Sequence, residues 1–345
     1  MDLNTIWFAL LGVLFAGYAV LDGFDLGVGV LSLFARSREE RDLHVAAIGP
    51  VWDGNEVWLL TGGGALFAAF PVVYATVFSG FYLALMLLLV ALIARAVSIE
   101  FRLLVPHSGW IRVWDLAFGL GSLLPSILFG VALGNILRGV PIGPDGEWRG
   151  SFLGLLNPYA ILVGLTSCAL FIMHGAIYLR MKTEGALADR LGKVALIAHA
   201  TFIALYAAAT ATTAAMSHAL FEKTGTAAFW VLTSLAVAAL VAIPFATRAG
   251  RKAIAFAVSS AAIIAVILLV AYSAYPILVP SLLDPRNSLT IYNAASTPRT
   301  LTTMLVIALV GMPIMLAYTA AVYRVFAGPT RPTDSYSGEE AQARG

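Results

Sequence analysis

Six carboxylates stand inside, or at the ends of, long apolar runs, and their spacing suits groups that carry protons. Asp22 and Asp25 are three residues apart, as are Asp53 and Glu56, and residues so spaced share one helical face. Glu100 and Asp115 lie near the end of the third run and the start of the fourth. An acid at mid-bilayer costs about 2.5–3.5 kcal/mol on insertion scales, whereas a Leu or Val returns only about 0.3–0.6 kcal/mol. Four acids in two neighbouring helices are therefore expected to face a bundle interior, with water, each other or Arg95. Two readings stand: a proton path, or a structural polar cluster near the interface helped by helix-terminal dipoles. Arg95 is the one basic residue well inside a run. It is either a counter-ion to Asp25, Asp53 or Glu100, or a snorkelling side chain reaching the headgroups.

Other chemistry is sparse. Haem iron in membrane helices needs an axial His or Met, and His174 and His199 are the intramembrane candidates. His44 and His107 fall in loops and His218 near a helix end. No His pair has metal spacing and no CxxCH occurs, so packing histidines are the preferred reading. The single cysteine, Cys168, excludes an intrachain disulfide and a thiolate-ligated cluster. There is no Walker loop, dinucleotide fingerprint or zinc motif. Gly62-Gly63-Gly64 sits inside a span and reads as close helix contact. The stretch from Trp52 to Trp58, WDGNEVW, is polar for a membrane helix and suggests a buried hydrogen-bond network.

The elements that must position these residues follow from composition. The chain has 345 residues, 60% hydrophobic and 12% charged, with mean hydropathy +0.88. Soluble chains carry about 25% charged residues. The net charge of +2 and the lack of a Lys/Arg block argue against nucleic-acid binding. Backbone groups in lipid must be satisfied within their own segment, so long apolar runs become helices. The expected fold is all-α and integral to the membrane. About nine spans are predicted: 5–34, 46–70, 74–104, 111–138, 157–182, 188–221, 226–247, 251–273 and 299–327. The first run has no positive region before it and reads as a retained helix rather than a cleaved signal. Pro313, with Gly311 nearby, predicts a kink in the last helix. Residues 1–327 form one polytopic domain, and 328–345 read as a polar, disordered cytoplasmic tail.

Loop charge sets the expected orientation. Fifteen of the 21 Lys and Arg residues fall on one set of loops and five on the other, with Arg95 inside a helix. The positive-inside rule puts the richer set in the cytoplasm, the N-terminus outside and the C-terminus inside. All six acids then lie toward the cytoplasmic side. Trp7, Trp110 and Trp230 fall near the predicted interfaces, as aromatic belts do.

Several stretches resemble subunit II of cytochrome bd-type ubiquinol oxidases. They are LDGFDLGVGVL at 21–31, WDGNEVWLLTGGGALFAAFP at 52–71, FSGFY at 78–82, GNILRGVP at 134–141, LLNPY at 155–159 and NSLTIYNAAS at 287–296. The resemblance implies two four-helix bundles plus one peripheral helix, in the bacterial inner membrane. It implies a heterodimer with a haem-bearing subunit I that carries two haem b and one haem d. This chain would ligate no haem and would not be active alone. The complex would oxidise quinol, reduce dioxygen to water and draw protons from the cytoplasm. Acids matching Asp25, Asp53 and Glu100 are associated in the family with proton uptake at the subunit interface, and Trp52 and Arg95 match residues that support it. Asp22, Glu56 and Asp115 join the candidate set from the reading of the residues. Some members hold a quinone in this subunit as a structural lipid, and small single-helix accessory subunits can join the complex. The competing classes are a secondary transporter or proton channel, disfavoured by the lack of an internal repeat, and a stand-alone b-type cytochrome ligated by His174 and His199.

Overall fold

The computed structural model describes residues 2–217 and 219–330. His218, Arg331, Arg344 and the expected tail from 331 onward lie outside the described residues. Among the described residues, eleven α-helices make up nearly all regular structure: α1 (Leu3–Ser32), α2 (Arg38–Ile48), α3 (Trp52–Ala69), α4 (Pro71–Gly80), α5 (Tyr82–Phe101), α6 (Ser108–Arg138), α7 (Pro158–Lys182), α8 (Gly185–Met216), α9 (Ala227–Arg248), α10 (Lys252–Ala274) and α11 (Pro298–Val325). Eight are long and apolar enough to cross a membrane, or nine if α3 and α4 count as one bent span.

The helix starts are written locally. Asp2 accepts from the Thr5 amide at 2.7 Å. Asn157 accepts from the Ala160 amide at 3.0 Å ahead of Pro158. Thr297 does the same for Thr300 ahead of Pro298. Each cap satisfies an amide that has no intrahelical partner, and proline at the first position loses nothing there. In lipid such a lapse would cost several kcal/mol.

The second and third predicted spans need correction. The run 46–70 is two helices, since α2 ends at Ile48 and α3 begins at Trp52. The run 74–104 begins as a third helix, because α4 is separate from α5. Pro71 forces Phe70 out of the helical region, to φ −132° and ψ 65°, and α4 leaves α3 at 119°. The sixth span likewise stops at Met216, and Ala219–Gly225 is a 3-10 turn. α11 runs as one helix through Pro313.

α1, α3, α5 and α6 form one bundle and α7 to α10 a second. α1 and α6 both lie along α7, and α11 touches α1 and α3 from outside, burying only Leu301. The α1–α7 crossing depends on Gly27 and Gly175. A Cβ on Gly27 would stand 1.9 Å from the Phe171 carbonyl oxygen, so only glycine permits this approach.

On the face where α1 begins, α4 and the two longest connections form a lid. Thr76 donates to the Gly146 carbonyl at 2.9 Å, Val140 N to Pro280 O at 2.9 Å, and Ser296 N to Ala69 O at 2.8 Å. A two-strand antiparallel pair, β1 (Ile277–Val279) and β2 (Leu289–Thr290), sits within it. Trp7, expected at an interface, is a core member here, and its Nε1 donates to Leu301 O at 3.0 Å. On the opposite face α2 is clamped by ions. Arg102 contacts Asp42 at 2.8 Å and Asp115 at 2.9 Å, Arg41 reaches Asp115 at 3.2 Å, and Arg190 pairs with Glu40. His44, expected in a loop, is instead a buried residue of α2 itself, because the charged stretch from Arg38 forms a short helix capped by Ser37; burial, with help from Arg41, pushes its imidazole down to about 4.

Candidate functional site

Toward the α2 side of the first bundle, α1, α3 and α5 bring charged groups together in an apolar interior. Arg95 of α5 lies flat against Asp22 of α1, with Nη2–Oδ1 2.5 Å and Nη1–Oδ2 3.0 Å, and neither residue is exposed. The planar guanidinium suits a carboxylate at two points, which a lysine could not match. Nη1 also reaches Glu56 of α3 at 3.3 Å. α6 closes the back of this site: a Cβ on Gly121 would stand 2.9 Å from the Arg95 amide nitrogen.

Among the described residues, Asp25, one turn along α1, makes no ion pair with a cation. Its Oδ2 accepts from Asn55 Nδ2 at 2.7 Å, and Asn55 Nδ2 also donates to Leu21 O at 3.3 Å. The phenol of Tyr323, from α11, donates to Asn55 Oδ1 at 3.0 Å. Asp25 Oδ1, Arg95 Nε and the Tyr18 hydroxyl are buried and have no hydrogen-bond partner among the described residues. Unpartnered polar atoms in an apolar interior are costly and call for water or a proton.

The structure sorts the expected site residues by depth. Asp22, Asp25 and Arg95 are fully buried, Glu56 is half-buried, and Trp52 is half-buried against the core. Asp53 and Glu100 are exposed on this chain. Arg95 does not snorkel, and its partners are Asp22 and Glu56 rather than Asp25, Asp53 or Glu100. Glu56 needs its long side chain to span from α3 to α5, a relation that spacing along one helix does not reveal. Asp115 belongs to the separate clamp on α2, because Arg102 and Arg41 are nearer to it than Arg95.

Three members escaped the sequence reading. Asn55 lies in the WDGNEVW stretch, where the polar run signalled a network but not its donor. Tyr323 and Tyr18 are lone aromatics in apolar helices and carried no signal. The glycine run is only partly a contact surface. Gly62 faces Phe15, whereas a Cβ on Gly63 or Gly64 would meet nothing within 4 Å.

Other donors fit structural roles. His174 engages Ser259 Oγ at 2.8 Å through Nδ1 and Val20 O at 3.1 Å through Nε2, so neither nitrogen is free to bind iron. His199 Nδ1 lies 3.4 Å from Met173 Sδ. An open cavity of about 260 Å³ between α7 and α8 is lined by Ala169, Ile172, Val194, Ile197, Ala198 and Thr201. It offers no ligand for a metal. Among the described residues no three His, Cys, Asp or Glu side chains converge as a metal site.

Residues 3–326 match the family model described as cytochrome bd terminal oxidase subunit II. A probable cytochrome oxidase subunit 2 of Haemophilus influenzae is 38% identical, with 93% of each chain covered. The cytochrome bd-I ubiquinol oxidase subunit 2 of Escherichia coli K12 is 37% identical, again over 93% of each chain. The Bacillus subtilis cytochrome bd ubiquinol oxidase subunit 2 is 35% identical, over 94% of this chain and 96% of that one. Among solved structures, a chain of the bd oxidase from Geobacillus thermodenitrificans superposes with TM-score 0.73 at 19% identity. That match covers 94% of this chain and 99% of that one.

Proposed function

Given that this chain belongs to the cytochrome bd terminal oxidase subunit II family, we propose that its buried acids form part of the oxidase's proton supply. The chain is a multi-pass subunit of a respiratory quinol oxidase, an oxidoreductase complex of the bacterial inner membrane, and it acts with a subunit I. On our reading the two haem b and one haem d belong to that partner, this chain ligates none, and it does not turn over alone. The engaged nitrogens of His174 support this division. Quinol and dioxygen are substrates of the complex. A structural quinone in this chain and single-helix accessory subunits remain part of the proposal.

The observation that carries the reading is Asp25: fully buried, without a cation, held by one amide and with Oδ1 unpaired. Asp22 is neutralised by Arg95 and is poorly placed to exchange protons. Asp25 is not. Around it the acids run from exposed Asp53 and Glu100, through half-buried Glu56, to the interior. This gradient suits a route that starts at a wet or partner-covered surface and ends in a dry site. The positive-inside rule places that surface in the cytoplasm, with the N-terminus outside and the C-terminus inside. Exposed carboxylates on α3 and α5 also suit contact with subunit I.

The test is Asp25→Asn in the assembled oxidase. Quinol-driven oxygen consumption is expected to fall on the order of tenfold or more with haem content native. Native turnover in that variant would remove Asp25 from the route. Loss of haem would make the residue structural.

A further inference from the structure

α11 is an unusual place to find a polar contact with the site. It buries only Leu301 along its 28 residues, yet its far end is tied down. Lys182 Nζ donates to Phe326 O at 2.5 Å, and Thr330 N donates to Lys182 O at 2.8 Å. In the last turn of the helix, Tyr323 lies edge-on to Phe24, with ring centroids 6.4 Å apart, and its hydroxyl reaches Asn55.

The direction of this contact is decided by α1. The Leu21 carbonyl can only accept. The Asn55 amide nitrogen must therefore face Leu21 O and Asp25 Oδ2, and its oxygen must face Tyr323. The phenol is then the donor. With Tyr323 in place both ends of the amide are engaged: two acceptors for its nitrogen and one donor for its oxygen. The amide takes one oxygen of Asp25 and leaves Oδ1 as the atom open to a proton or a water. Without the phenol, a buried amide oxygen would lose its partner, and that favours rotation of the amide or entry of water.

We propose that Tyr323 is a positioning residue for Asp25, acting through Asn55, so that α11 sets which oxygen of the carboxyl exchanges protons. This rests on the reading of Asp25 as part of the proton route. It touches neither the Arg95–Asp22 pair nor the exposed acids.

The experiment uses the whole oxidase carrying Tyr323→Phe, Asn55→Ser or both, with Asp25→Asn as reference. The ring of Phe keeps the contact with Phe24 and removes only the hydroxyl. Two signals are read: the pH profile of oxygen consumption, and the infrared carboxyl band that disappears in Asp25→Asn. Tyr323→Phe is expected to assemble with native haem content, to displace the pH profile by about 0.5–1 unit and to shift the Asp25 band. The double variant is expected to go no further than Asn55→Ser alone, since the phenol acts through the amide. A native profile and band in Tyr323→Phe would overturn the proposal, as would additive effects in the double variant. Failure of Tyr323→Phe to assemble would also overturn it, by making the hydroxyl a structural clasp. Native turnover in Asp25→Asn sinks the proton-route reading instead. Slow Asp25→Asn beside a silent Tyr323→Phe sinks this inference alone.

Discussion

Arg95 meets Asp22 across the α5–α1 interface at two points, 2.5 Å and 3.0 Å, and both side chains are fully buried. This contact pairs the charge of Asp22 and, among the described residues, leaves Asp25 on the same helical face without an ion-pair partner. Two acids one turn apart are thereby given different chemistry by a single arginine.

Removing one partner of that contact strands the other charge in an apolar interior. Arg95→Leu is expected to lower stability by about 3–5 kcal/mol and to abolish recovery of assembled oxidase. Arg95→Lys keeps the charge but loses the fork and should recover part of the assembly. Thermal unfolding of the purified complex and its haem content measure both. Equal recovery of native and Arg95→Leu complexes would contradict the role given to this pair.

Asp53 is exposed and stands at the entrance of the proposed proton route. In Asp53→Asn, oxygen reduction by the complex should slow while quinol binding stays near native. Steady-state turnover over a range of quinol concentrations separates the two, because a lost proton step lowers the maximal rate rather than apparent affinity. Unchanged turnover with assembly intact would place the route elsewhere.

His44 predicts a pH dependence of the α2 clamp. Burial lowers its proton affinity from 6.5 to about 4. Between those values the unfolded chain binds a proton that the folded chain does not, so stability falls as pH drops through this window. Acidification from pH 6.5 to 4 should therefore loosen α2, read as faster amide exchange over 38–48. His44→Phe should reduce that pH dependence. Equal exchange at both ends of the window in the native protein would refute the assignment.

The α1–α7 crossing admits no side chain at Gly27, where a Cβ would stand 1.9 Å from Phe171 O. Gly27→Val should prevent folding of the subunit, since backbone rather than a flexible side chain must yield. Gly311→Ala in α11 meets nothing within 4 Å and should change stability by no more than about 0.5 kcal/mol. Expression and detergent stability of the two variants, compared side by side, test the contrast.

Much of this protein follows from residue order alone. Runs of about 20 apolar residues become membrane helices because lipid offers the backbone no other partner. Acids within those runs stand out because their insertion is costly. The all-α membrane fold and the polar character of WDGNEVW were legible for these reasons, and the subunit II family was legible as a resemblance carried by motifs such as LDGFDLGVGVL and WDGNEVWLLTGGGALFAAFP. Other features depend on distances between segments far apart in the chain. Asn55 and Tyr323 are 268 residues apart, and Asp22 and Arg95 are 73 apart. Spacing along one helix shows which residues share a face but not what the neighbouring helix presents to it. Only the tertiary structure turned Asp53 and Glu100 to the surface, gave Arg95 to Asp22 and Glu56, and bent the chain at Pro71. The physical reason is that helix formation is decided within a segment, whereas the partner of a buried charge is decided by which helices lie side by side.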